Sequence, residues 1–148
     1  MSSNGAPTEN ISAFVNYHLH PLVTKIPSYT QDTSDFLRKV QGLPALPDNT
    51  LLVTLDVSSL YTNIPHAEGI AACREALDTK EHNQPPTSDL CKLIHSILTM
   101  NSFVFNGLYY LQIQGTAMGT WVAPSYANIF MGKLQKEILS AHHPPPLI

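Results

Sequence analysis

A chain of 148 residues is long enough for one domain with its own apolar core and too short for two comfortable ones. Hydrophobic residues make up 43% but charged ones only 13%, about half the usual share, so part of the surface is expected to pack against other protein. The net charge of -3 offers no cationic excess to neutralise phosphates, which argues against tight nucleic-acid binding.

The two cysteines, Cys73 and Cys91, form no C-x-x-C pair, which excludes a zinc finger. Both fall in helix-like segments, where a buried, reduced thiol is expected. The opening MSSNGAPTEN has neither a basic start nor an apolar run, so no secretory leader is expected, and no apolar stretch approaches membrane-spanning length. Without secretion, the acceptor tripeptide Asn10-Ile11-Ser12 is a chance match. The expected location is intracellular, with cytoplasm and nucleus not separated.

In chain order, Thr8 precedes Ile11, Phe14, Val15, His18, Leu19 and Leu22, a helical spacing that Pro21 and Pro27 limit. Thr33 or Ser34 can cap a short second helix bearing Phe36, Leu37 and Val40 and ending near Gly42. A proline-rich loop, 43–49, follows. The run Leu51-Leu52-Val53-Thr54-Leu55 predicts a strand buried on both faces, with Asp56 at its end. A turn region at 58–65 leads into a helix over about 65–80, with Ile70, Cys73 and Leu77 on one face. Thr87 caps the next helix, whose apolar face is Leu90, Cys91, Ile94, Ile97 and Leu98. Asn106-Gly107 between two aromatic and β-branched runs predicts a hairpin. Gly115 and Gly119 open a flexible loop, and Pro124 begins a helix bearing Tyr126, Ile129, Phe130, Leu134 and Ile138. Regular structure is expected to end at 142–146. The fold class implied is α+β, with helices packed on a small antiparallel sheet.

Two segments hold the chemistry: LLVTLDVSSLYTNIPH over 51–66 and QGTAMGTWVAPSYANIFM over 114–131. A carboxylate ending a buried strand needs compensation, and a cation, an arginine or the N–H groups of the next turn could each supply it for Asp56. Tyr61 alone reads as a core aromatic. Gly115 and Gly119 permit close backbone approach, and Ala123, Ser125 and Ala127 permit a helix to lie close to a strand. The aromatics Phe103, Phe105, Tyr109 and Tyr110 could stack bases but are expected to pack the hairpin on its neighbours. The pairs His18/His20 and His142/His143 lack a third metal ligand at useful spacing. Neither G-x-S-x-G nor G-x-x-x-x-G-K-[ST] occurs.

Taken together, DVSSLYTNIP resembles motif A of reverse transcriptases and QGTAMGTWVAPSYAN resembles their motif B, in the right order and separation. The wording is closest to Penelope-like retroelements, and the similarity extends to SSNGAPTENISAFVNYHLHPLV, so it spans nearly the whole chain. The resemblance implies a partial fingers–palm of an RNA-directed DNA polymerase. Its parts would be a helical segment at 1–50, motif A at 51–66, helices at 67–101, a hairpin at 102–114, the motif B loop and helix at 114–140 and a tail at 141–148. It implies Asp56 as catalytic and metal-binding aspartate and Val57 as a carbonyl beside the second metal. It implies Tyr61 as the steric gate against a ribose 2′-OH, and Gln114 and Gly115 as nucleotide contacts. The implied cofactor is Mg²⁺, as two ions about 3.5–4 Å apart in the intact family. The implied partners are RNA template, DNA primer and deoxynucleoside triphosphate.

The match departs from the family at several points. The paired aspartates of motif C occur nowhere in the sequence, and are expected beyond Ile148. The basic fingers residues are expected before Ser2. Trp121 stands where a basic residue is usual, and Ala67 where an acid is usual. The expectation is a fragment that is inactive alone and binds nucleic acid weakly or not at all. The alternative is a non-catalytic interaction module or a transposon remnant.

Overall fold

The computed structural model of the chain describes residues 7–82 and 84–141. Six helices and one two-stranded antiparallel sheet make up its regular structure: α1 (Glu9–Val23), α2 (Thr33–Gln41), α3 (Leu60–Asn63), α4 (His66–Leu77), α5 (Thr87–Thr99), β1 (Ser102–Phe105), β2 (Leu108–Leu111) and α6 (Ala123–Ala141). The class is therefore α+β. Of the predicted tail at 141–148, Ala141 is the last residue of α6, and residues 142–148, including His142 and His143, lie outside the described residues.

The core is helix on helix. In α1 the buried stripe is Ser12, Val15, Leu19, Leu22 and Val23, a period that keeps one face inward. Pro21 sits inside this helix, which ends two residues later. In α5, Leu90, Cys91, Ile94, Ile97 and Leu98 are all buried, as their spacing predicts. Cys73 and Leu77 of α4 and Tyr126, Ala127 and Ile129 of α6 join the same cluster, together with Ile64, Ala72 and Val122. α1 packs on α4, α5 and α6, and α4 packs on both α5 and α6.

The small residues of α6 let that helix come close to other helices, not to a strand as predicted. Ala123, Ser125 and Ala127 are buried. Ser125 Oγ donates to Asn16 Oδ1 at 2.6 Å, and Ser12 Oγ accepts from the Val122 N–H at 3.0 Å. These two bonds satisfy polar groups on otherwise apolar faces and tie α1 to the start of α6. Farther along, Gly69 of α4 faces the Tyr126 ring, and Lys133 pairs with Glu75.

Both cysteines are free and buried. Burial pushes the thiols of Cys73 and Cys91 up from their ordinary range, and does the same to the Tyr126 phenol. These groups bind protons more tightly folded than unfolded. Their stabilising contribution is complete below about pH 8.5, where an unfolded thiol begins to ionise, and is lost as pH rises. Thermal unfolding is therefore expected to shift downward between about pH 8.5 and 11, with each titrating group costing up to about 1.4 kcal/mol per pH unit. A midpoint that does not fall in that window would show these groups to be accessible to water.

Helix starts differ from expectation by one residue. Asp32 caps α2, its Oδ1 accepting from the Asp35 N–H at 2.8 Å, so Thr33 is the first helical residue rather than the cap. Pro86 precedes α5, so Thr87 is likewise inside the helix. Phe36, Leu37 and Val40 of α2 are exposed.

Two predictions fail on tertiary grounds. Residues 51–57 form no strand; the backbone is unpaired, with Leu52 88% and Leu55 93% exposed. A strand is stabilised by its ladder, and β1 and β2 pair only with each other. The hairpin has the predicted turn, with Asn106 at φ 50° and Gly107 at φ 77°, as a two-residue I′ connection requires. Its register pairs Phe103 with Tyr110 and Phe105 with Leu108, and the Phe103 and Tyr110 rings stack at 5.6 Å. No hairpin residue is buried: Phe105 is 68% and Tyr109 83% exposed. The helices bury their apolar stripes against one another, so these aromatics do not pack the hairpin on them as predicted.

Candidate functional site: the docked loop at Gln114

Asp56 follows the exposed run directly and is itself exposed. The desolvation that a buried strand would have imposed on its carboxylate is therefore absent, and no compensating partner is needed. No hydrogen bond or ion pair holds Asp56 among the described residues. Val57 is partly exposed and also makes none.

After Asp56 the chain turns sharply. Ser59 adopts a left-handed conformation at φ 53°, which launches α3. The Thr62 hydroxyl donates to the Ser59 carbonyl at 3.0 Å, and Asn63 Nδ2 donates to the Ser58 carbonyl at 3.2 Å, so the turn is braced from within. Ile64 is buried and anchors the segment in the core before α4 begins at His66.

The loop at 114–116 docks on this turn. The Thr116 N–H donates to the Tyr61 carbonyl at 2.7 Å, and the Gly115 N–H donates to the Ile64 carbonyl at 3.1 Å. Gln114 Nε2 donates to the Asn63 carbonyl at 3.1 Å. His66 Nε2 lies 2.8 Å from the Gly115 carbonyl, and Gln112 Nε2 donates to the Gln114 carbonyl at 2.8 Å. Gly115 has φ 72° and is buried, so close that a Cβ there would overlap the Tyr61 carbonyl oxygen and lie 2.5 Å from Thr62 Cα. Only glycine fits. Gly119, at φ 95°, turns the chain toward α6. Thr116 is buried with its hydroxyl unpartnered.

Of the five residues singled out from sequence, the fold thus brings Tyr61, Gln114 and Gly115 into one contact and leaves Asp56 and Val57 open to water beside the turn. Tyr61 is half-buried and meets the loop through its backbone. Asn63, His66, Gln112 and Asn101 were missed. One signal was available: Gln112 and Gln114 are two apart at the end of the predicted hairpin, a spacing that puts both on one side of an extended chain.

The site is uncharged on the loop side. From Met100 to Gly132 the sequence holds no Asp, Glu, Lys, Arg or His. The chemistry on offer is amide donation and acceptance. No group of three or more His, Cys, Asp or Glu side chains converges among the described residues. Asp56 supplies one carboxylate where paired magnesium ions want several, so these residues do not fit a two-metal centre and no metal-dependent step follows from them. His18 is held edge-on by Phe14 and Tyr17; burial, then Lys80, lowers its pKa from the ordinary histidine range. Among the described residues, no helix is long and apolar enough to cross a membrane. Comparison with protein-family models, curated proteins and solved structures finds no match to this chain.

Proposed function

We propose that the chain is part of the fingers and palm of an RNA-directed DNA polymerase of the Penelope-like retroelement kind. One observation carries the reading. The two segments that resemble motifs A and B are separated by about 50 residues, yet their central residues are joined by direct hydrogen bonds from Gly115 and Thr116 to Ile64 and Tyr61. A chance resemblance in two places gives no reason for those two places to meet.

In this reading Asp56 is one arm of a magnesium site whose other carboxylates belong to motif C. Tyr61 is the steric gate, Gln114 and Gly115 face the incoming nucleotide, and Val57 offers a carbonyl. Template RNA, primer DNA and deoxynucleoside triphosphate are the partners of the complete enzyme. The 148 residues alone are expected to give no primer extension with Mg²⁺ or Mn²⁺, because one carboxylate cannot hold two ions. Template-dependent synthesis by the purified chain that Asp56→Ala abolishes would overturn that expectation. The coding sequence after Ile148 tests the family reading itself. An in-frame strand with paired aspartates is expected, and the longer product should extend a primer at a rate that Asp56→Ala cuts by at least about 100-fold.

A second reading, a non-catalytic module that binds another protein, is favoured by the exposed apolar run at 51–55 and the exposed hairpin. Unpaired, strand-competent backbone is a template for added strands. A stop codon directly after Ile148, with cooperative unfolding of the chain, would favour it.

A further inference from the structure

The docked loop is fixed at four consecutive backbone groups. The peptide joining Gln114 to Gly115 is held at its oxygen by Gln112 Nε2, at 2.8 Å, and at its nitrogen by the Ile64 carbonyl, at 3.1 Å. The peptide joining Gly115 to Thr116 is held at its oxygen by His66 Nε2, at 2.8 Å, and at its nitrogen by the Tyr61 carbonyl, at 2.7 Å. A peptide unit is planar, so pinning both ends of two successive units removes the freedom of either to rotate. Two of the four partners are backbone carbonyls. The other two are side chains, and each is itself positioned. Gln112 Oε1 accepts from Asn101 Nδ2 at 2.6 Å, and the Gln112 N–H donates to the Asn101 carbonyl at 2.9 Å. His66 sits in the first turn of α4, directly after the buried Ile64 and the half-buried Pro65.

We propose that His66 and Gln112 are positioning residues for the 114–116 loop, setting its two peptide planes and through them the direction of the Gln114 carboxamide. A carbonyl oxygen only accepts, so Nε2 of His66 carries a proton in this contact. Gln112 does the same work from the hairpin side. The term positioning rests on the reading of this loop as the part that faces a nucleotide; the hydrogen bonding does not.

Residue-resolved amide hydrogen exchange on the whole chain tests the inference. His66→Phe keeps a ring and loses the donor. The Gly115 and Thr116 amides are then expected to exchange about tenfold faster, while Ile94 and Leu98 in the core of α5 keep their protection. His66→Gln retains a donor of similar reach and should bring both amides back to within about threefold of the parent chain. The nitrogen spectrum of His66 should show a protonated Nε2. Unchanged exchange at Gly115 and Thr116 in His66→Phe, or a glutamine that restores nothing, would overturn the proposal. If His66→Phe does not fold, Gln112→Met carries the same test. It removes the donor to the Gln114 carbonyl and should speed Gly115 exchange by a similar factor, and an unchanged rate would again overturn it. No polymerase activity is read, so failure here is distinct from failure of the polymerase reading, which primer extension by the longer product decides.

Discussion

Gly115→Ala is expected to destabilise the chain by about 3 kcal/mol, lowering the thermal midpoint by roughly 10 °C. Two causes add. A residue with a side chain at φ 72° is strained, which costs about 1 kcal/mol. The new methyl would also meet backbone, not a flexible side-chain end: the Tyr61 carbonyl oxygen, Thr62 Cα at 2.5 Å and the Thr62 carbonyl carbon at 2.6 Å. The loop must then undock and give up its bonds to Ile64 and Tyr61, each contributing about 1 kcal/mol. Gly107 is the internal control. It has φ 77° and no atom near its would-be Cβ, so Gly107→Ala should cost only the strain, about 1 kcal/mol. Equal costs at the two glycines in a denaturant titration would mean that the loop is not seated on the turn at 59–64.

The second large effect is expected at Gly69. Alanine inside a helix normally gains about 1 kcal/mol over glycine. Here the added methyl would overlap the Tyr126 hydroxyl and ring, with Cε2 at 2.8 Å. Tyr126 is fully buried and has no room to yield. Overpacking of this kind costs roughly 1–3 kcal/mol and more when two helices must part, so Gly69→Ala should be destabilising by about 2 kcal/mol net of its helix gain. The Tyr126 hydroxyl has no hydrogen-bond partner, so Tyr126→Phe alone should be neutral or stabilising by up to about 1 kcal/mol. Combined with Gly69→Ala it should recover part of the loss, since the ring itself still crowds the methyl. A stabilising Gly69→Ala would contradict the packing of α4 on α6.

The parts of this fold that local chemistry controls were legible in the sequence. The α5 stripe, the Asn-Gly turn and the close backbone approach at Gly115 follow from periodicity and from what a missing Cβ permits. What was not legible depends on partners distant in sequence. Whether Leu51 to Leu55 becomes a strand is decided by a ladder neighbour, and the residues described here supply none. The hairpin aromatics look like core residues by type, yet the helices satisfy one another and leave them in water. Ser12 would be placed on a polar face by type. It is buried because the Val122 N–H, 110 positions away, needs an acceptor. Within the site, Tyr61, Gln114 and Gly115 were found through resemblance, whereas His66 and Gln112 emerged only from the hydrogen bonds they make.

Everything proposed about nucleotide chemistry depends on two distant stretches of chain lying against each other in solution. A nuclear Overhauser spectrum of the labelled protein measures this most directly. Strong cross-peaks between the Gly115 α-protons and the Thr62 α-proton are predicted, given how near the two backbones lie. A well-dispersed spectrum without them would place the Gln114 loop elsewhere and remove the observation on which the polymerase reading rests.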